Sequence, residues 1–193
     1  MSRMPRPRRS GLSTGDEPHE LPGEYSRIAM HGPIHCHLAE DHERLDSLLA
    51  RAAADTESVD LDAFHLFRVG ILRHIGIEET VLLSTAMRLR GGDPLPVARQ
   101  LRLDHSALAT LLVPTPTHAI VAEIRRVLAS HNPLEEDDGG MYDEVDRLLR
   151  PAEAQALLER LRATPEPAVA PYFDEPRVHA RIAHILREAR GEE

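Results

Sequence analysis

Apolar residues recur at helical spacing in four stretches of the chain, and each stretch predicts one amphipathic helix. The expected helices span residues 34 to about 54, 61–89, the segment between Pro96 and Pro114, and a segment that begins near Thr117. Gly91, Gly92 and Pro94 supply the end of the second helix. Pro133 and the pair Gly139-Gly140 are expected to bend or interrupt the fourth.

Weaker patterns flank these four stretches. Residues 1–25 are rich in proline, glycine and charge, which predicts a disordered N-terminal extension. Beyond Leu149, a fifth helix is expected from Pro151 to about Ala163 and a last helix from about 176 to 190, both packed on the outside. No segment alternates between apolar and polar residues as a half-buried strand would. The pattern therefore predicts an all-α fold, with a bundle at 26–150 and additional C-terminal helices at 151–193.

Composition narrows the classes of function. The chain has 193 residues, a formal net charge of −9 and a single cysteine, Cys36. One cysteine excludes a disulfide framework and a thiolate-rich metal site, and it favours a cytoplasmic location. The arginines are scattered instead of gathered on one face, which argues against a nucleic-acid partner. No apolar run approaches the length of a membrane span, so no membrane partner is expected.

Two motifs each occur twice, in alternation. Asp-His-x-x-Leu-x-x-Leu-Leu begins at Asp41 and again at Asp104, and His-x-x-x-Glu-Glu begins at His74 and again at His131. Each predicted helix thus carries a histidine inside its apolar stripe, and the second and fourth add a glutamate one turn later. The candidate metal ligands are His42, His74, Glu78, His105, His131 and Glu135.

A shared metal explains why an apolar core would accept six such groups. Burying an ionised carboxylate without a partner costs several kcal/mol, and an unpaired imidazole loses its hydrogen bonds to water. Imidazole and carboxylate suit iron, manganese or zinc, and two ions about 3.5–4 Å apart share bridging carboxylates. Glu78 and Glu135 are the expected bridges. The alternative is a metal-free core, because a single buried histidine is more often a hydrogen-bonded core residue than a ligand.

Residues next to the six have open roles. Glu79 and Glu136 are interpreted as solvated or interhelical more readily than as metal-site residues, because neighbouring helical residues point about 100° apart. Asp41 and Asp104 either hold imidazoles by hydrogen bonds or lie on the helix surface. Tyr142 lines the site only if the helix continues past the glycines. Two further histidines have separate interpretations: His35 is a candidate for the pocket mouth or a proton relay, and His31 is interpreted as a surface residue.

The order and spacing of these motifs resemble the hemerythrin-like, HHE cation-binding family over residues 35–149. The resemblance implies an up-down-up-down four-helix bundle of hemerythrin type around a non-haem di-iron site. This chain departs from the oxygen-carrying hemerythrins: Ala109 stands where a second histidine of the third helix is expected, and Glu135 replaces an aspartate at another spacing. Six ligands instead of seven leave open positions on both ions, which favours reactivity or sensing over reversible oxygen carriage.

Three functions follow as hypotheses. The favoured one is a non-catalytic protein with two carboxylate-bridged iron ions that binds or senses O2, NO or peroxide, or handles iron. The second is a di-iron redox enzyme that decomposes peroxide or reduces nitric oxide. The third is an interaction module in which the metal stabilises the bundle and the C-terminal helices bind an unknown protein partner.

Overall fold

The computed structural model describes residues 31–191, and the regular structure within that range is entirely helical. The helices are α1 (Pro33–Ala52), α2 (Leu61–Ile77), α3 (Leu83–Leu89), α4 (Ala98–Leu111), α5 (His118–Glu136), α6 (Met141–Leu148), α7 (Pro151–Ala163) and α8 (Pro176–Ala189). A π-helical segment, Glu78–Leu82, joins α2 directly to α3. The predicted all-helical class is confirmed, whereas the predicted extension at 1–25 lies outside the described residues.

The buried apolar side chains form two clusters. The first cluster includes Leu45, Leu49, Phe64, Phe67, Ile71, Leu108, Leu111, Ile120 and Ile124. The second cluster includes Ile34, Leu38, Ile77, Leu82, Leu101, Met141, Tyr142, Val145, Leu158 and Leu161. The chain passes from the second cluster to the first along α1, returns along α2, and repeats this along α4 and α5. The four helices therefore alternate in direction, and their middle portions lie between two apolar layers.

Local signals in the sequence account for several helix ends. The side chain of Asp60 accepts hydrogen bonds from the N–H groups of Asp62 and Ala63 at the start of α2, and Thr117 accepts one from Ile120 at the start of α5. Helix α5 contains Pro133 and ends at Glu136, and Gly139 then turns the chain with a φ of 80°. The expected interruption thus produces a new helix, α6, instead of a bend. The sequence predicts one continuous α-helix at 61–89, whereas the structure has a π-helical segment, Glu78–Leu82, within that range.

The C-terminal helices contribute to the core as well as covering it. Helix α7 packs against α1, and α8 packs against α4. Leu161 and Leu186 are buried in the second and first clusters respectively. Arg73 donates hydrogen bonds to the carbonyl oxygens of Thr164 (2.7 Å) and Leu161 (2.9 Å), which fastens the link after α7 to α2. Among the described residues, no helix is long and apolar enough to cross a membrane.

Candidate metal centre

The six predicted ligands converge in the layer between the two apolar clusters. Each is buried, and the carboxyl groups of Glu78 and Glu135 are completely inaccessible to solvent. They form two overlapping groups whose candidate ligand atoms all lie within 4.8 Å of one another. One group, called here the first half-site, consists of His42, His74, Glu78 and Glu135. The other, the second half-site, consists of His105, His131, Glu78 and Glu135.

Each glutamate contributes one oxygen to each half-site. Glu78 directs Oε1 to His74 Nε2 at 3.1 Å and Oε2 to His105 Nε2 at 3.2 Å. Glu135 directs Oε2 to His42 Nε2 at 3.6 Å and Oε1 to His131 Nε2 at 3.2 Å. This is the arrangement that a pair of bridging carboxylates requires. The histidines pair across helices, α1 with α2 in the first half-site and α4 with α5 in the second.

The donor atoms fit metal ions in chemistry and in spacing. Two ligands at right angles with bonds of about 2.1 Å are about 3.0 Å apart, close to the 3.1–3.2 Å distances between the imidazole nitrogens of His74, His105 and His131 and their nearest glutamate oxygens. Within residues 31–191, the buried atoms Glu78 Oε2, His105 Nε2 and Glu135 Oε1 make no aligned hydrogen bond. Such buried, inward-facing atoms without hydrogen bonds are costly unless another group satisfies them. A cation bound between them would do so.

A second ring of carboxylates surrounds the imidazoles. Nδ1 of His74 lies 2.9 Å from Asp41, and Nδ1 of His105 lies 2.8 Å from Glu79. Nδ1 of His131 lies 3.4 Å from Asp104, and Nδ1 of His42 contacts Glu136. A carboxylate only accepts, so the Nδ1–H groups of the closely bonded imidazoles donate and leave Nε2 directed inward. Carboxylates in this position orient imidazole ligands and raise their basicity. His42, His74 and His105 are therefore held as metal-ligating imidazoles usually are, whereas Nδ1 of His131 faces Asp104 without an aligned hydrogen bond.

The outer partners follow the doubled residues of the motifs. Glu78 and Glu79 contact opposite ring nitrogens of His105 on α4, and Glu135 and Glu136 contact opposite nitrogens of His42 on α1. The π-helical segment begins at Glu78. Such segments are frequent at functional sites in proteins. The sequence favoured a solvated or interhelical role for Glu79 and Glu136 over a role at the metal site, and the structure gives both an interhelical contact, with the predicted ligands His105 and His42.

Adjacent carboxylates favour the charged form of three of these histidines. Burial alone would lower the pKa of His74, His105 and His131, but the carboxylates outweigh it. Glu78 and Asp41 raise the pKa of His74 to about 10, and Glu135, Glu78 and Glu79 raise that of His105 to about 10. Asp104 and Glu135 raise the pKa of His131 to about 9. Burial would raise the pKa of Glu78, but His74 and His105 lower it well below its ordinary value. The inward protons of the imidazoles occupy the directions in which a cation would bind.

Tyr142 reaches the first half-site from α6. Its hydroxyl donates to Glu78 Oε1 at 2.6 Å and lies 3.1 Å from Glu135 Oε2. It is also 3.2 Å from His74 Nε2 and 3.3 Å from His42 Nε2. Burial and the two glutamates raise the pKa of Tyr142 well above its ordinary value, so the phenol stays protonated and donates a hydrogen bond. The two half-sites are therefore chemically different, because this hydroxyl lies in only one of them.

A surface cavity of about 460 Å³ lies beside His42 of the first half-site. It is lined by the predicted ligand His42, by Leu45 and Ile71, and by Arg125 and Asn132 of α5. The buried Oδ1 of Asn132 has no hydrogen-bond partner among the described residues. A small polar molecule therefore has a route to the outer side of His42.

The sequence predicts the six inner residues but not all of their surroundings. It does not determine the place of Tyr142, which depends on the turn at Gly139 and Gly140. His35 does not enter either half-site; its ring stacks on His31, and both rings face Asp143. The doubled residues in Asp-His and Glu-Glu were the available signal for the outer carboxylates, since they repeat together with the ligands.

Comparison with known proteins gives no match: no family model, curated protein or solved structure is similar to this chain.

Proposed function

We propose that this chain is a hemerythrin-like four-helix-bundle protein that holds two iron ions and binds or senses a small ligand such as O2, NO or peroxide. The bundle would consist of α1, α2 with its extension through α3, α4 and α5. His42 and His74 would hold one ion, and His105 and His131 the other. Glu78 and Glu135 would bridge the two.

One observation carries this proposal: each buried glutamate directs one oxygen to each histidine pair. A metal-free hydrogen-bonded core explains a histidine beside a carboxylate. It leaves three of the inward-facing atoms, Glu78 Oε2, His105 Nε2 and Glu135 Oε1, without aligned hydrogen bonds. Two cations account for both features together.

The donor set supports iron, with manganese and zinc as alternatives. It contains imidazole nitrogen and carboxylate oxygen only, a combination that suits iron and manganese as well as zinc. Each half-site offers two imidazoles and two carboxylate oxygens, so an ion that prefers six ligands retains open positions. When bound, a pair of iron ions supplies redox chemistry and coordination sites for small ligands. The cavity beside His42 supports access by such a ligand.

The first test is the metal content and the spectrum of the protein purified without chelators. About two iron ions per chain are expected, with near-ultraviolet and visible absorption that changes on addition of azide. The variant His74→Gln should lose metal, because it removes a ligand of the first half-site. His65→Gln, an exposed histidine on the same helix, is the matched control and should retain the metal. A wild-type protein that takes up no metal, even after addition of ferrous iron, would contradict the proposal.

Tyr142 favours a second candidate function, a redox enzyme that decomposes peroxide. Two molecules of hydrogen peroxide yield two of water and one of O2, so this reaction needs no outside reductant. The reaction moves protons, and the Tyr142 hydroxyl forms a buried hydrogen bond of 2.6 Å to Glu78 in the first half-site, where it could position a reacting oxygen. Oxygen evolution measured with an electrode distinguishes the candidates. Many turnovers per iron pair would support the enzyme, whereas at most one would leave binding or sensing.

A further inference from the structure

A second cluster of metal-ligating side chains lies outside the buried centre, where α1 meets α6. His31 precedes α1 and His35 lies in its first turn, and their rings stack with centroids 3.9 Å apart. The Nδ1 atoms of both rings face the same oxygen, Oδ1 of Asp143, at 3.2 Å and 2.8 Å. The candidate ligand atoms of the three residues all lie within 4.8 Å of one another.

The backbone holds this cluster in place without using its ligand atoms. Asp146, not Asp143, accepts hydrogen bonds from the first N–H groups of α1, at Ile34 (3.2 Å) and His35 (2.9 Å). Gly32 lies so close to Asp146 that a Cβ there would be 2.1 Å from its Cγ, which shows how tightly the start of α1 packs on α6. Asp143 uses its other oxygen, Oδ2, to accept from Gly139 N–H at 3.2 Å. Its Oδ1 is left to the two imidazoles.

We propose that His31, His35 and Asp143 form a third, mononuclear site for a divalent transition-metal ion such as Zn²⁺ or Fe²⁺. Two imidazoles and one carboxylate are a ligand set for these ions that leaves further positions for water. Ligands at right angles with bonds of about 2.1 Å are about 3.0 Å apart, so the two observed contacts would change by only about 0.2 Å. The cation would replace two imidazole hydrogen bonds to one carboxylate oxygen.

This site differs from the buried centre in its access to solvent. The side chains of His31 and Asp143 are 26% and 20% exposed, whereas Glu78 and Glu135 are fully buried. The ion would therefore exchange faster than those of the buried centre. The two places are also neighbours, because Asp143 directly follows Tyr142 and the ring of His35 meets that of Tyr142 edge-on, with centroids 5.9 Å apart.

The test counts Zn²⁺ ions per chain after equilibrium dialysis over a range of free Zn²⁺ concentrations. His31→Gln and Asp143→Asn should each bind one ion fewer than the wild type at concentrations that saturate it. His65→Gln/His184→Gln removes two exposed histidines outside the cluster and should bind as the wild type does. Circular dichroism and thermal unfolding of the metal-free variants establish that they fold; both changed side chains are partly exposed, which favours this.

The number of Zn²⁺ ions that the wild type binds in excess of the variants tests the third site independently of the buried centre. A change from three ions to two supports both sites, and a change from one to none supports the third site alone. Equal stoichiometry and equal affinity in the wild type, His31→Gln and Asp143→Asn would overturn the third site, however many ions the buried centre holds.

Discussion

The outer carboxylates provide the sharpest test of the metal centre, and Glu79 is the best of them to change. Its Oε1 lies 2.8 Å from Nδ1 of His105, and its side chain is 28% exposed. Glu79→Gln preserves the shape of the side chain and an oxygen that accepts from Nδ1, but it removes the negative charge. It leaves the six inner residues unchanged. The variant therefore asks whether His105 acts as a metal ligand whose basicity depends on its outer partner.

Loss of such an outer partner typically weakens metal binding by about 10–100-fold. Because Glu79 is partly exposed and glutamine still accepts a hydrogen bond, we expect the lower end, about 10-fold, which corresponds to about 1.4 kcal/mol. The assay is competition for Zn²⁺ or Fe²⁺ against a chromophoric chelator at fixed pH. The weakening should appear in one of the two buried ions, since Glu79 contacts only the second half-site.

Arg102→Gln is the matched control for this experiment. Arg102 Nε lies 3.2 Å from the other oxygen of Glu79, and this arginine is 52% exposed. Exposed ion pairs contribute little, so its removal should change the affinity by less than about twofold. Wild-type affinity in Glu79→Gln, or an equal loss in Arg102→Gln, would refute the role assigned to Glu79.

Three further predictions follow from the same contacts. The pKa values of about 10, 10 and 9 for His74, His105 and His131 lie above the ordinary 6.5. The stability that their protonation contributes is therefore complete below pH 6.5 and is lost as pH rises through 9–10. Urea unfolding of the metal-free protein should show a free energy of unfolding that declines over this window, and a flat profile would contradict the prediction. At pH 7.5, metal uptake should release about three protons from these imidazoles, measured by calorimetry in buffers of different ionisation enthalpy, whereas release of none would mean that they were already neutral. Tyr142→Phe should lower the free energy of unfolding of the metal-free protein by about 1–3 kcal/mol, measured in urea, because it removes a buried donor to Glu78. The control is Tyr172→Phe, which should lower it less because the Tyr172 hydroxyl makes no hydrogen bond within residues 31–191.

Periodicity was sufficient to predict the helices because each one buries a continuous apolar stripe. Leu38 and Leu45 flank His42 on α1, and Phe67 and Ile71 precede His74 on α2, so the polar groups stood out against an apolar background. The same stripes do not encode the π-helical segment at Glu78. That segment begins at the first of two consecutive glutamates, Glu78 and Glu79, which both contact His105 on α4.

The apolar stripe of one helix does not show which residues of another helix it contacts. Spacing shows that His74 and Glu78 share a face, but it cannot show that Asp41 of α1 meets His74 of α2. Tyr142 was undetermined for a related reason, since its position depends on how the turn with positive φ at Gly139 directs α6. His31 and Asp143 lie 112 residues apart in the chain, and no local pattern connects them.

The outer ring also indicates that the centre depends on all four ligand-bearing helices at once. His74 and His131 take their outer partners from the preceding helix, Asp41 on α1 and Asp104 on α4. The outer partners of the other two imidazoles come from the other helix pair: Glu79, which follows α2, contacts His105 on α4, and Glu136 at the end of α5 contacts His42 on α1. Neither helix pair, α1–α2 or α4–α5, therefore contains a complete set of oriented imidazoles. A metal ion that binds only the folded state stabilises it by mass action. Cations in this centre would therefore stabilise the packing of the two helix pairs against each other as well as each pair by itself.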